Sequence, residues 1–374
     1  MPHAAGNKQA TAARFDRSSP RLYIRISMTM SWLERKIRRY EHARWTTDDN
    51  RRVFPFEWGL EHIGGKVGEP DPRAFLEAWV DETLAESDEW FATTPARDYV
   101  LHPSQNGNSF GEVLTFTSQV TSPWAKNNLV HARFFRARTS GPAVVVLPNW
   151  NAKWDGQVSL CRWLNKLGIS VLRLSLPYHD RRVAPGHERA DQLVGSNVGL
   201  TLQAMRQAVT DTRRCFRWLE QQGYSKLGIV GTSIGSAIGS ITMAHDRAVR
   251  AGAFLHVSTY FADVVRTGMT TAHVWEGLRT RVTEDELRLY WTPISPVPYM
   301  DRLRNTGQRM LMIGGRYDPT FWYEFTEEMF QSLREKGIQL ETMTLPCGHY
   351  SLELAPFAVP AGLRLGLFLF ESLA

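Results

Sequence analysis

Ser233 lies at the centre of a Gly-x-Ser-x-Gly motif that runs from Gly231 to Gly235. The apolar run 227–230 before it predicts a buried strand, and the small and apolar residues 236–239 after it predict a close-packed helix. A sharp turn between a strand and a helix holds such a serine in a strained, outward position, where its hydroxyl can attack a carbonyl carbon. The two glycines remove side-chain atoms that would collide in this turn. The same pattern also fits a glycine-rich turn whose serine only caps the helix.

The helix predicted after Ser233 also offers a site for negative charge. Ile234 is its first residue, and the first N–H groups of a helix lack partners within the helix. The helix dipole favours negative charge at this end. We therefore expect the N–H of Ile234 to be one donor of an oxyanion hole.

From about Gly111 to its end, the chain resembles an α/β-hydrolase, on the strength of this motif and its strand–turn–helix setting. A narrower resemblance points to the branch of dienelactone hydrolases and acetyl xylan esterases, which grades into prolyl-oligopeptidase-like enzymes. The superfamily carries a catalytic triad in the order Ser, then Asp or Glu, then His. Its acid follows a late strand and its histidine follows the last strand.

The resemblance implies that Asp318 is the acid and His349 the base. Asp318 follows the strand predicted over 308–313, and His349 follows the last predicted strand, 338–345. A serine hydroxyl needs an adjacent base, and the base needs a group that orients it, so the three residues would act together. Asp263, which follows the preceding predicted strand, is the alternative acid. Asp318 and His349 could also be ordinary turn residues, a reading that the geometry must decide.

The turn at 148–151 follows the apolar run Ala143–Leu147, which predicts a fully buried strand. In the resembling superfamily this turn donates the second oxyanion N–H and often begins His-Gly, whereas here it begins Pro148-Asn149. Register favours the N–H of Trp150, and Asn149 is the other candidate, with a side-chain amide that could contribute. Alternatively, Trp150 only packs over the sheet.

These residues require an α/β fold. We expect an α/β-hydrolase fold with a mostly parallel sheet of the eight-stranded type, flanked by helices. The predicted organisation is a disordered tail at 1–29, a helical extension at 30–110 and the hydrolase domain at 111–374, with a lid insertion at about 258–308. The tail is basic and nearly acid-free, and translation could begin at Met1, Met28 or Met30.

Periodicity and turn signals predict the elements around the site. The predicted strands are 112–120 and 128–138, which alternate enough to be antiparallel, followed by 143–147, 169–176, 227–230, 249–257, 308–313 and 338–345. The predicted helices are 31–43, 71–91, 155–167, 198–222 and 321–336, with a terminal helix after Leu352.

Two segments are expected to line a substrate pocket. The polar loop 177–195 leaves the carboxyl end of a strand, where α/β sheets place their ligands, and brings Tyr178 and His179 to the rim. The proposed lid brings Phe261 and Trp291 to the same pocket. Within the loop, Arg181 and Arg182 could bind an acidic group, although a solvated charged loop is the simpler interpretation. No metal site is predicted there, because the spacing of the loop's histidines and aspartates matches no standard ligand pattern.

Composition narrows the classes of protein. Apolar residues make up 43% and charged residues 22%, which is ordinary for a globular protein. The net charge of +6 comes without a nucleic-acid-binding motif. Three cysteines make no disulfide framework, which favours a reducing, cytoplasmic location. No run of 18 apolar residues exists, so we expect no stable membrane insertion. Neither G-x-G-x-x-G nor a P-loop is present, so no cofactor is predicted.

Together these observations predict a serine hydrolase that cleaves a small-molecule carboxylic ester through an acyl-enzyme. A peptidase or thioesterase of the same fold remains an alternative, as does a non-catalytic binding protein. The helical extension could shape the pocket or join copies into a homo-oligomer.

Overall fold

The computed structural model describes residues 13–14, 31–47, 50–103, 111–138 and 141–374. The predicted disordered tail at 1–29 lies outside the described residues, except for Ala13–Arg14, which form a short strand. The strands are β1 (Ala13–Arg14), β2 (Arg52–Val53), β3 (Val100–His102), β4 (Glu112–Thr117), β5 (Leu129–Phe135), β6 (Ala143–Leu147), β7 (Ser170–Leu174), β8 (Leu227–Thr232), β9 (Val249–Leu255), β10 (Arg309–Gly315) and β11 (Gln339–Leu345).

The helices surround the sheet and include several short ones between β9 and β10. They are α1 (Trp32–Thr47), α2 (Pro72–Ala85), α3 (Ser87–Trp90), α4 (Ala125–Asn128), α5 (Val158–Lys166), α6 (Val198–Gln221), α7 (Ile234–His245), α8 (Phe261–Thr267), α9 (Ala272–Leu278), α10 (Glu284–Tyr290), α11 (Tyr323–Glu335) and α12 (Ala355–Leu373).

The main sheet confirms the predicted α/β-hydrolase fold. In the described part of the chain it has nine strands in the order β11-β10-β9-β8-β6-β7-β5-β4-β3. The strands from β11 to β7 are parallel, and β5, β4 and β3 complete the sheet in antiparallel pairing. The strand β3 was not predicted, and it brings the start of the sheet to Val100, ahead of the predicted domain boundary at 111.

The central strands are buried on both faces, which explains their continuous apolar sequences. Along β6, Ala143, Val145 and Leu147 face one core cluster, whereas Val144 and Val146 face a second. The first cluster is packed by α6 and α7 and the second by α5 and α12. The carboxyl ends of the parallel strands therefore meet at one edge of a rigid layer, where their following turns come together.

The N-terminal segment is helical, in agreement with its sequence signals. Ser31 Oγ accepts the N–H of Glu34 at 3.1 Å at the start of α1. The side chain of Asp71 accepts the N–H of Ala74 at the start of α2, as its Asp-Pro sequence predicts. The predicted single helix 71–91 is divided at Glu86, after which α3 begins.

The loop 177–195 differs from the solvated loop that its polar sequence suggests. Arg182 is fully buried and pairs with Asp211 at 2.8 Å, and Arg173 pairs with Asp180 at 2.9 Å in an equally buried site. The interpretation of Arg182 as a solvated or substrate-binding residue is therefore wrong. Because each buried guanidinium has a carboxylate partner, these pairs fix the loop against the sheet.

The terminal helix α12 is long and apolar enough to cross a membrane by length and composition alone. Its inner face packs against the sheet through Leu365, Phe368 and Leu369. Its outer face exposes apolar side chains at helical spacing, namely Val359, Leu363, Leu367 and Phe370.

Candidate active site

Ser233 is held in a strained turn between β8 and α7. Its φ of 58° and ψ of −121° lie outside the regions that non-glycine residues normally occupy. Its N–H donates to the carbonyl of Leu255 at 2.8 Å, which ties the turn to the end of the neighbouring strand β9. This is the strand–turn–helix geometry expected of a nucleophilic serine.

The two glycines of the motif are required by close approach of the backbone. A Cβ on Gly231 would lie 2.2 Å from the carbonyl oxygen of Gly235, and a Cβ on Gly235 would lie 2.5 Å from that of Leu147. The Cβ added to Gly235 would also lie 2.8 Å from the carbonyl oxygen of Pro148. The glycines therefore allow the serine turn to pack directly against the turn that follows β6.

This packing brings the two predicted oxyanion donors to one place. Ile234 begins α7, and Asn149 and Trp150 lie in the turn that Gly235 touches. Within the described part of the chain, the backbone N–H groups of Ile234 and Trp150 donate no hydrogen bond. Ile234, Trp150 and Asn149 all line the same cavity. The Trp150 ring is stacked on His273 at 5.6 Å, and its Nε1 donates to the carbonyl of Ala190.

Asp318 and His349 are in contact, as the triad hypothesis requires. His349 Nδ1 donates to Asp318 Oδ2 at 3.1 Å. The other carboxylate oxygen, Oδ1, accepts the N–H groups of Thr320 at 2.7 Å and Phe321 at 2.9 Å. One oxygen is thus fixed by the backbone and the other is directed at the imidazole.

The charges of this pair support a histidine that can accept a proton. Burial alone would raise the pKa of Asp318, but the His349 and His256 imidazoles outweigh it and hold that pKa well below its usual range. Burial alone would lower the pKa of His349, but the charge and hydrogen bond of Asp318 outweigh it and raise that pKa. Asp318 therefore remains ionised and is placed to stabilise an imidazolium at His349.

Sequence reasoning missed His256, which lies beside the same carboxylate. Its Nδ1 is 2.7 Å from Asp318 Oδ2, and its ring centroid is 4.5 Å from that of His349. His256 follows β9 directly and has a φ of 58°. The predicted strand 249–257 included His256, whereas β9 ends at Leu255. A histidine at the carboxyl end of a buried strand was the signal that could have identified it.

The rival acid, Asp263, lies elsewhere. Its carboxylate faces Arg288 at 3.4 Å, and it contacts no histidine in the described part of the chain. Burial raises the pKa of Asp263, the opposite of what the orienting acid of a triad needs. The geometry therefore favours Asp318.

His256, Asp318 and His349 also form a group of donors that could hold a metal ion, with donor atoms within 4.8 Å of one another. We propose proton transfer as the role of the group, because Nδ1 of both imidazoles already contacts the carboxylate oxygen. Among the residues that the structure describes, the histidines of the loop 177–195 join no comparable group. His179 accepts the N–H of Asn151 at 2.9 Å, and His187 contacts Gln192 at 2.7 Å.

A cavity of about 580 Å³ opens onto Ser233, His256 and His349. This volume suits a small-molecule ligand. No hydrogen bond joins Ser233 Oγ to either imidazole in the described part of the chain, and such contacts often tighten only when substrate binds.

Three of the four predicted pocket residues line this cavity, namely Tyr178, His179 and Phe261. The placement of Trp291 in the pocket is wrong. Trp291 is fully buried because it directly follows α10 and packs into the first core cluster, where its ring centroid lies 5.7 Å from that of Phe261. The cavity also has residues from the N-terminal segment that were not predicted there, namely Arg44, Thr47, Asn50 and Arg51.

Comparison with known protein families gives a match over part of the chain. A sequence model of the prolyl oligopeptidase family matches residues 200–351, less than half of the chain. No curated protein sequence matches the chain.

Several solved structures share the fold. The acylaminoacyl peptidase of Pyrococcus horikoshii aligns with a TM-score of 0.52 and 12% identity, over 71% of this chain and 42% of its own. Acetyl xylan esterase 1 of Thermoanaerobacterium sp. JW/SL YS485 aligns with a TM-score of 0.57 and 15% identity, over 80% and 94%. An esterase of Pyrococcus furiosus aligns with a TM-score of 0.51 and 14% identity, over 75% and 98%.

The chain thus spans about two fifths of the peptidase but nearly the whole length of the two esterases. The partial family match supports a serine hydrolase, these structures show the fold, and ester and peptide substrates stay equally open. The chain therefore has the fold of the α/β-hydrolases.

Proposed function

We propose that the protein hydrolyses carboxylic esters of small molecules through Ser233, His349 and Asp318. The observation that carries the proposal is the hydrogen bond from His349 to Asp318, which faces the same cavity as a serine held in a strained turn. An ordinary turn does not require an ionised Asp318 carboxylate that is held by two backbone N–H groups and accepts a hydrogen bond from His349.

In the proposed reaction, Ser233 Oγ attacks the carbonyl carbon while His349 accepts its proton at Nε2. Asp318 holds Nδ1 and stabilises the imidazolium. The N–H of Ile234, with that of Trp150 or Asn149, binds the developing oxyanion, where one such donor is typically worth about 100- to 1000-fold in rate. His349 then protonates the leaving alcohol, and water hydrolyses the acyl-enzyme with the same histidine as base.

Two observations favour an ester. The chain covers almost the full length of the two esterase structures, and an alkoxide leaves with less protonation than an amine. The match to the prolyl oligopeptidase family favours a second candidate, a short-peptide amide bound in the same cavity.

The first test is labelling of the full chain with a fluorophosphonate probe, followed by mass spectrometry of its peptides. We expect stoichiometric modification at Ser233 and none in Ser233→Ala or His349→Ala. The same labelling in the presence of a chelator tests the assignment of His256, Asp318 and His349 to proton transfer, and it should be unchanged. Labelling at another serine, or none in folded protein, would contradict the proposal.

The second test separates the two substrate classes. Matched p-nitrophenyl esters and p-nitroanilides with the same acyl group differ only in the leaving group. We expect turnover of the esters, with a preference among acyl groups set by the cavity. Anilide turnover with a comparable kcat/KM would favour the peptidase.

A further inference from the structure

Glu41, on the N-terminal helix α1, contacts the turn that carries His349. Its side chain is 1% exposed. One carboxylate oxygen accepts the N–H of Tyr350 at 2.8 Å, and the other accepts the N–H of Ser351 at 2.7 Å. Both partners are the backbone groups that directly follow His349. A buried carboxylate needs such partners, because removing its charge from water is costly unless hydrogen bonds replace the solvent.

The turn is also closely fitted to this carboxylate on its other side. A Cβ added to Gly348 would lie 2.5 Å from Cδ of Glu41. The N–H of Gly348 donates to Ser351 Oγ at 2.8 Å, which closes the turn on itself. Residues 348–351 thus wrap around the end of one side chain that lies more than 300 positions earlier in the chain.

The helix α1 and the segment after it also contribute directly to the cavity. Arg44, Thr47, Asn50 and Arg51 line it. Arg51 makes a second link to the histidine turn, since its Nη2 lies 3.4 Å from the hydroxyl of Tyr350. The N-terminal segment therefore both lines the cavity and contacts the backbone that directly follows the proposed base.

We propose that Glu41 is a positioning residue that holds the His349 turn in its working geometry, so that α1 is part of the active site. This inference rests on the proposed function of His349 as the base. The Glu41 carboxylate accepts hydrogen bonds from the two residues that follow His349, whereas the Asp318 carboxylate accepts one from the His349 imidazole. The backbone beside the histidine and its ring are therefore held by different residues. Misplacement of a reacting group by about 1 Å can cost on the order of 100-fold in rate.

Charge gives Glu41 a second effect on the same histidine. Its negative charge adds to that of Asp318 in raising the pKa of His349. The titratable and charged groups near His349 in the described part of the chain are Asp318 and His256 on the strand turns, Glu41 on α1, and Tyr350 and Glu353 on its own turn. Arg51 lies beside Tyr350, and Cys347 is near Asp318 and Glu41.

The test compares two substitutions on one helix in the full-length chain. Glu41→Gln keeps the shape of the side chain but replaces one acceptor oxygen by an amide that cannot accept a backbone N–H. Glu34→Gln is the matched control, since Glu34 lies two turns earlier on α1 and pairs with Arg38 at 2.9 Å. We measure the rate constant for fluorophosphonate labelling of Ser233, kcat and KM for an ester, and the Tm.

For Glu41→Gln we expect labelling and kcat to fall about 10- to 100-fold, with KM changed by no more than about threefold. The acid limb of the labelling rate should move to lower pH, because a negative charge beside His349 is lost. Glu34→Gln should match the unmodified chain in all of these measurements. A residue that only stabilised the fold would lower the Tm without moving the acid limb of the folded protein.

A second pair of variants tests the contact from the opposite side. Gly348→Ala places a methyl group against the carboxylate, so it should slow labelling as Glu41→Gln does. In a Glu41→Ala background the space is open, so the further effect of Gly348→Ala should largely disappear.

Equal labelling rates in Glu41→Gln and the unmodified chain would overturn the role of Glu41, as would strictly additive effects of the two alanine substitutions. Failure of the unmodified chain to label at Ser233 would instead overturn the proposed function, so the two failures are distinguishable.

Discussion

The serine turn and the histidine turn reach the same cavity by different means. The conformation of the serine turn is set by near neighbours, since Gly231, Gly235 and the start of α7 lie within a few positions of Ser233. Remote residues, such as Leu255 and Leu147, then pack against the finished turn. The histidine turn depends on Asp318, which lies 31 positions before His349, and on Glu41, which lies far earlier in the chain. One turn is a local steric arrangement, and the other is assembled from distant parts of the chain.

This difference predicts how each turn fails. A local turn fails when a single side chain is too large, because backbone atoms have no room to move. An assembled turn fails by degrees, because each remote partner supplies only part of its orientation. Substitutions in the two regions should therefore differ in their balance between lost stability and lost rate.

The largest expected effect is that of Asp318→Asn. The amide cannot orient and stabilise the imidazolium in the same way, and we expect turnover to fall by about 10,000-fold. Asp263→Asn is the matched control, because that carboxylate faces Arg288, and it should retain turnover. Ester kinetics with a circular dichroism check of folding measure both. A reversed result would move the role of the acid to Asp263 and break the comparison.

The next effect is that of Gly235→Ala in the serine turn. Its methyl group would meet the carbonyl oxygens of Leu147 and Pro148 and separate the two oxyanion donors. We expect about 100-fold slower labelling and a loss of about 1–3 kcal/mol in the free energy of unfolding. Gly362→Ala in α12 is the control, because a Cβ there meets nothing within 4 Å, and it should be neutral to stabilising. Denaturant unfolding measures the stability of both variants, and fluorophosphonate labelling measures the reactivity of Ser233. If Gly235→Ala kept normal stability and labelling, the turn would be less constrained than its contacts imply.

A smaller effect is expected from His256→Asn. We expect His256 to help hold the shared carboxylate, so its loss should slow labelling by about tenfold, equivalent to ~1.4 kcal/mol in the barrier. His349→Ala should abolish labelling under the same conditions. If His256→Asn were the inactive variant and His349→Ala retained activity, the two histidines would exchange roles.

The mildest test uses pH alone. The base must be neutral to accept the serine proton, and its pKa is raised above the ordinary 6.5 by Asp318. Labelling of Ser233 should therefore be lost as pH falls through a midpoint above 6.5, and it should level off at higher pH. The pKa of Asp318 lies well below its usual range, so the acid stays ionised throughout this window. A midpoint below 6.5 would contradict the raised pKa.

The sequence allowed prediction of what is local or periodic. The strand β6 was predicted at its observed bounds, because a short run of five apolar residues is typical of a strand buried on both faces. The serine turn was predicted from its glycines. The turns of Asp318 and His349 were predicted because each residue follows a predicted strand at the place where the resembling superfamily carries its acid or its histidine. These features depend on neighbours within a few positions or on the order of strands.

Long-range contacts were not predictable in this way. Glu41 reads as one charge of a basic amphipathic helix, and nothing near it shows that it will be buried. Arg182 likewise reads as part of a solvated loop until its partner Asp211, 29 positions later, is placed beside it. A polar residue that is buried by a remote partner has the same local sequence as an exposed one.

All three cysteines, Cys161, Cys215 and Cys347, are buried and free. Burial raises the pKa of Cys161 and Cys347 to about 12 and that of Cys215 well above its ordinary value, so little thiolate forms near neutral pH. The native chain should therefore resist alkylating reagents, and each thiol should react only when its surroundings open. Because Cys347 lies two residues before His349 while the other two lie in helices, the relative alkylation rates report whether the histidine turn opens before the body of the protein unfolds.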